Sequence, residues 1–249
     1  MRPSSRGLKF RWTGPFHWLF PAQANAGGDF AAWGAGLDAC WGGGREACVF
    51  LNDTVRGPFL PRYVDEPRGW PALFCARLSG SVKLVGASVN SMVRWAPRFR
   101  RPHVQSMAFA CDAPAVALLR AARIFKPEPD GARLVASCGA LRDGLVVPGD
   151  QREKTAYVFM HEIRMSEVIA DAGFEFYGFQ VAETTGAFPM DDVQLDYDGD
   201  RLNPVETMFV KSSHGGFDVE GGLLRKYTAW LDGAAPPRPR RSKIAVRRA

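Results

Sequence analysis

No CxxC pair and no metal-finger spacing links the five cysteines of this chain, Cys40, Cys48, Cys75, Cys111 and Cys138. Their odd number argues against a complete disulfide framework, so each reads as a small apolar core residue. No run of about 18 apolar residues occurs, and no membrane span is expected. The first twenty residues mix Arg2, Arg6, Lys9 and Arg11 with aromatics, which is not the layout of a signal peptide. The expectation is a soluble chain whose compartment, cytoplasmic or Golgi-associated, stays open. Internal repeats are absent.

Acids are missing from residues 233–249, which hold Arg238, Arg240, Arg241, Lys243, Arg247 and Arg248. Without that segment the chain carries 26 basic and 26 acidic side chains, so the net charge of +6 belongs to the tail. A neutral body argues against specific nucleic-acid binding. The tail is Pro-rich and apolar-poor and reads as disordered.

What remains is an ordinary globular composition, 46% hydrophobic and 23% charged over 249 residues, enough for one large domain with appendages. The most informative stretch runs from Cys48 to Pro61. Four apolar residues, Cys48 to Leu51, suit a strand buried on both faces, and Asn52-Asp53-Thr54 then breaks it before Gly57-Pro58. In open α/β sheets the carboxyl edge is where ligands bind, and Asp53 could neutralise a cation or accept from a sugar hydroxyl. Arg56 could face a phosphate. The same triplet also makes an ordinary turn, and spacing alone leaves both readings open.

Around this stretch the pattern predicts strands alternating with helices, hence α/β. Helices are expected at 30–39, with Asp29 as cap or ligand, and at 71–78, 113–123, 162–172 and 223–231. Gly173 should close the fourth. Strands are expected at 82–89, 104–111, 157–159 and 174–181, with 204–210 returning to the core. Weak periodicity leaves 126–155 as loops with short elements. Arg94, Arg98, Arg100 and Arg101 around Trp95 and Phe99 form a local basic patch, either a solvated loop or a contact for an anionic glycan.

Six segments come in a telling order: Asn25–Trp33, Phe50–Pro61, Val82–Gly86, Pro102–Ser106, His161–Ser166 and Asn203–Lys211. This order resembles glycosyltransferase-like proteins of the GT-A type, related to the rhamnan-synthesis F family, and more distantly family-2 glycosyltransferases. The resemblance implies a GT-A-like (Rossmann-like) mixed sheet flanked by helices over 25–232, between an irregular segment 1–24 and the tail. It also implies an activity of hexosyl or deoxyhexosyl transfer in polysaccharide or glycan synthesis. Only 24 residues precede Asn25, fewer than the roughly 30 of one βαβ unit, so the nucleotide-binding half is expected to be incomplete.

On this resemblance Asn25, Gly27, Asp29, Asn52, Asp53, Thr54 and Arg56 bind a nucleotide-sugar donor. Asp53 also holds a divalent cation, Mn²⁺ or Mg²⁺. Glu162 is the catalytic base toward a saccharide acceptor, and His103, Gln105 and His161 contact sugar. The chemistry is coherent, since a departing diphosphate needs positive charge and an acceptor hydroxyl needs a base. Each residue has a plainer role as well. Glu162 could be a first-turn acid complementing its helix dipole, and His103 could satisfy a backbone group. A non-catalytic relative that binds carbohydrate or acts as a scaffold is the alternative reading.

Overall fold

The computed structural model describes residues 28–41, 45–52, 54–60, 69–90, 97–99, 102–179 and 208–211. Its centre is a mixed four-stranded sheet built from β1 (Ala47–Leu51), β3 (Val82–Gly86), β6 (Ala108–Asp112) and β7 (Glu175–Gly178). The strand order is β1-β6-β3-β7. β6 runs antiparallel to both neighbours, while β3 and β7 are parallel. The carboxyl ends of β1, β3 and β7 therefore share one edge with the start of β6. Two short ribbons pair β2 (Val55–Arg56) with β8 (Val210–Lys211), and β4 (Val89–Asn90) with β5 (His103–Val104).

Strand alternation sorts the core into two faces. Phe50, Leu84, Phe109 and Cys111 pack with Phe30 and Leu37 of α1 (Gly28–Cys40). Val116 and Leu119 of α3 (Ala113–Ala121) and Met165 and Ile169 of α7 (Arg164–Asp171) complete that cluster. On the other face Val85, Ala108 and Ala110 meet Trp70 and Phe74 of α2 (Trp70–Cys75) together with Phe209. Phe50 and Phe109 are register partners and stack at 4.6 Å, with Trp33 set edge-on to both. Each such aromatic pair adds about 0.5–1.5 kcal/mol beyond its area. The chain is thus a mixed α/β protein with a mixed sheet flanked by helices, as expected.

Several expectations need correction. The Cys48–Leu51 strand is covered on both faces, but among the described residues β1 is an edge of the sheet. Cys48, Val49 and Leu51 are accordingly only half-buried. The strand foreseen over 82–89 breaks after Gly86, and its continuation joins the β4–β5 ribbon. A side chain at Gly86 would meet Val104 at 2.4 Å, so the close ribbon crossing needs glycine there.

The segment expected as loops with short elements carries short helices, α4 (Gly131–Ser137), α5 (Gly139–Arg142) and the start of α6 (Arg152–Tyr157). Asp130 caps α4 through the amides of Ala132 and Arg133. Leu134, Cys138, Leu141, Leu145, Ala156 and Ile163 give these helices a small core of their own.

Tyr157–Phe159, expected to be extended, lies inside one helical run from Arg152 to Asp171. Residues Val158–Ile163 in its middle are wound as a π-helix. Gly173, with φ of +80°, ends the run as foreseen, and Phe174 N–H donates to the Ile169 carbonyl. The expected helix at 223–231 and the tail lie outside the described residues.

Candidate functional site at the carboxyl edge of the sheet

Three strand ends meet where β1 and β3 finish and β6 begins. The Asn52 amide donates to the Met107 carbonyl at 2.9 Å, which ties the turn after β1 to the turn before β6. The Gln105 amide donates to the Ser88 carbonyl, and Ser88 Oγ donates to Gln105 Oε1 at 2.6 Å. The strand ends are thereby fixed before any side chain reaches outward.

Asn52, 6% exposed, organises the first turn. Its Oδ1 accepts from Thr54 N at 2.8 Å and from Thr54 Oγ1 at 2.5 Å. Its Nδ2 donates to the Asp29 carboxylate. An Asx-type turn therefore flanks position 53. Asp53 itself, with Asn25 and Gly27, lies outside the described residues, so the donor and metal assignments that rest on them have no geometry here. Among the described residues no three His, Cys, Asp or Glu side chains are grouped to hold a metal ion.

Asp29 does not cap its helix from outside as one reading had it. It sits within the first turn of α1, where a carboxylate complements the helix dipole, and it reaches across to β1. Gly28 opens that helix at φ +62°, and a Cβ there would stand 2.7 Å from Tyr157 Oη. The same hydroxyl accepts from Phe30 N–H at 3.0 Å. Burial first, and then the carboxylates of Asp29 and Glu162, push the Tyr157 phenol above its usual range.

Glu162 is not a first-turn acid, because it stands in the π-helical middle of the Arg152–Asp171 run. The helix-dipole role is therefore removed. Its Oε2 accepts from Ser106 N at 2.9 Å and from Ser106 Oγ. Its Oε1 faces His103 Nε2 at 3.6 Å. One turn further along, Ser166 Oγ accepts from Val104 N–H at 2.9 Å. Two polar contacts spaced i, i+4 thus pin this helix to the β5–β6 turn. A π-turn is uncommon and recurs at functional sites.

The remaining predicted residues divide. His103 is 1% exposed and reaches the edge through Glu162. Gln105 is buried against Ser88. His161 belongs to the core. Its ring sits 5.6 Å from Phe30 and 5.0 Å from Tyr157, and Nδ1 lies 2.9 Å from the Ile124 carbonyl. A carbonyl only accepts, so Nδ1 carries the proton and Nε2 is a buried acceptor with no partner among the described residues. Burial lowers its pKa, and Arg164 adds to that. Arg56 is exposed and donates to the Val55 carbonyl at 3.1 Å.

Ser106 and Tyr157 were missed by sequence reasoning. Ser106 had a signal, as the last residue of the Pro102–Ser106 segment, whereas Tyr157 was hidden by the extended reading of its neighbourhood.

The arrangement suits proton transfer. Ser106 holds one carboxylate oxygen of Glu162 with two donors and leaves the other beside His103. The Glu162 side chain is 14% exposed, which gives a ligand access. Ser106 Oγ donates to the carboxylate, so in this arrangement the hydroxyl holds Glu162 in place. Comparisons of the chain with family models, with curated proteins and with solved structures find no match.

Proposed function

We propose that this chain is a glycosyltransferase-like protein that moves a sugar from a nucleotide-diphosphate donor to a saccharide hydroxyl. The observation that carries the reading is the Glu162 carboxylate, fixed by Ser106 and His103 at the sheet's carboxyl edge. The Asn52–Thr54 turn stands at that same edge. In a GT-A-like arrangement this edge takes the donor, and a mixed sheet flanked by helices is compatible with it. Glu162 Oε1 removes the proton from the acceptor hydroxyl as the glycosidic bond forms. Asp53 is assigned to the donor, accepting from a sugar hydroxyl or holding Mn²⁺ or Mg²⁺, whose charge would stabilise the departing diphosphate, and Arg56 is the alternative source of that charge.

The second reading, a non-catalytic relative acting as a carbohydrate-binding or scaffold protein, is favoured in its scaffold form by one observation. His103, Gln105 and His161 are all buried and engaged internally. The test is release of nucleoside diphosphate from a panel of nucleotide sugars with saccharide acceptors. The transfer reading expects release that falls at least about 100-fold in Glu162→Gln, the usual scale of a lost general base. Folded protein that releases none under any pairing supports the non-catalytic reading.

A further inference from the structure

The π-helical segment that carries Glu162 also contributes Phe159 and Met160 to a cleft of about 240 Å³. Phe99 and Phe159 meet edge to face in its wall, with ring centroids 6.3 Å apart. Gly139 and Ala140 keep another wall free of bulk, and Asp143, Arg164 and Glu167 supply the charge. Arg98 lies 5.6 Å from the Phe99 ring centroid and braces that aromatic. We infer that this cleft binds one neutral saccharide ring. Its role as the acceptor's docking subsite rests on the transfer reading above, but binding itself does not.

The charge pattern selects the ligand. Asp143 and Arg164 line the same cleft, are both exposed, and make no side-chain hydrogen bond or ion pair with each other or with another described residue. A carboxylate only accepts and a guanidinium only donates. A phosphate would suit Arg164 but meet Asp143 and Glu167, and an amine would meet Arg164. A hydroxyl both donates and accepts, so a polyol satisfies the two together. The half-buried rings of Phe99 and Phe159 offer apolar surface to the C–H face of a sugar. Ligand clefts usually run about 300–1,000 Å³, so this one is sized for a single ring and not for a nucleotide sugar.

The test is an NMR titration of the ¹⁵N-labelled full chain with the methyl glycosides of glucose, galactose, mannose and rhamnose. Inorganic phosphate and methylammonium serve as the anion and cation probes. Expected are saturable shifts of the Gly139 and Ala140 amides with at least one glycoside. They should weaken roughly tenfold in Asp143→Asn and in Arg164→Gln, the loss of one charge-assisted hydrogen bond. Both positions are exposed, so both variants keep the fold. No saturable glycoside shift, shifts indifferent to both substitutions, or a response to phosphate in place of sugar overturns the inference. Glycoside binding without nucleotide binding upholds it while removing the transfer reading, and nucleotide binding without glycoside binding does the reverse.

Discussion

His103 Nε2 lies 3.6 Å from Glu162 Oε1, and the other oxygen of that carboxylate is held by Ser106. The carboxylate is thus anchored on one side and has the His103 imidazole on the other. Ser106→Ala removes the hydroxyl donor but keeps the backbone one. We expect a loss of roughly 1.5–3 kcal/mol, the range for hydrogen bonds to charged groups. A fall in the urea midpoint at unchanged slope would register it, and an unchanged midpoint would show that Oγ is not a partner.

His161 gives a pH signature. Its folded pKa lies below the ordinary value of about 6.5, so below that pH the unfolded chain binds the extra proton. Stability is therefore full above about pH 6.5 and declines as pH falls toward the folded value. In His161→Leu that part of the decline should vanish, with denaturant midpoints compared at pH 7.5, 6.5 and 5.5.

Tyr157 behaves oppositely at the alkaline end. Its phenol is held above about 10, so the unfolded state loses its proton first and stability falls as pH rises past that point. Tyr157→Phe should cost about 1–3 kcal/mol at neutral pH, because the buried Phe30 N–H loses its acceptor. It should also flatten the alkaline decline, which ultraviolet titration against unfolding can follow.

Asn52 joins α1 to the end of β1. Asn52→Asp would place a carboxylate against Asp29, which Asn52 now meets as a donor. Like charges raise both folded pKa values, so the repulsion is relieved at low pH and grows as pH rises through them. Relative to the parent chain, the variant should lose stability between about pH 4 and pH 7, while Asn52→Ala should show a weaker pH dependence, since it removes one donor from the Asp29 carboxylate and adds no charge. Equal pH dependence of the two variants would contradict the Asn52–Asp29 contact.

The sequence made part of this legible, and the reasons are local. The Asn52 edge, the α3 start and the Gly173 stop rest on short-range chemistry that composition reveals, and they appear where expected. The run Thr155–Met160 misleads because its β-branched and aromatic residues favour strands, while burial against α4 and α5 makes it helical. That error moved the apparent start of the helix to Glu162 and suggested a dipole role it does not have. The partnership of Ser106 with Glu162 spans 56 residues, and a single chain carries no mark of such a contact.

Packing of α1 can be tested by volume. A Cβ at Gly34 would stand 2.1 Å from the Phe125 carbonyl oxygen, a backbone atom that cannot swing away. Gly34→Ala should cost about 1–3 kcal/mol through overpacking. Gly149→Ala, where nothing lies within 4 Å, should stay within about 0.5 kcal/mol of the parent in the same thermal scan.

The central claim is that the carboxyl edge at Asn52–Thr54 takes a nucleotide-sugar donor beside Glu162. Calorimetric titration of the full chain with nucleoside diphosphates and nucleotide sugars, with and without Mn²⁺, tests it most directly. The account predicts saturable binding that weakens at least about tenfold in Asp53→Ala and in Asn52→Ala, the loss of one charged contact or of the turn that presents it. Absence of binding by folded protein, or binding that neither substitution alters, would contradict it.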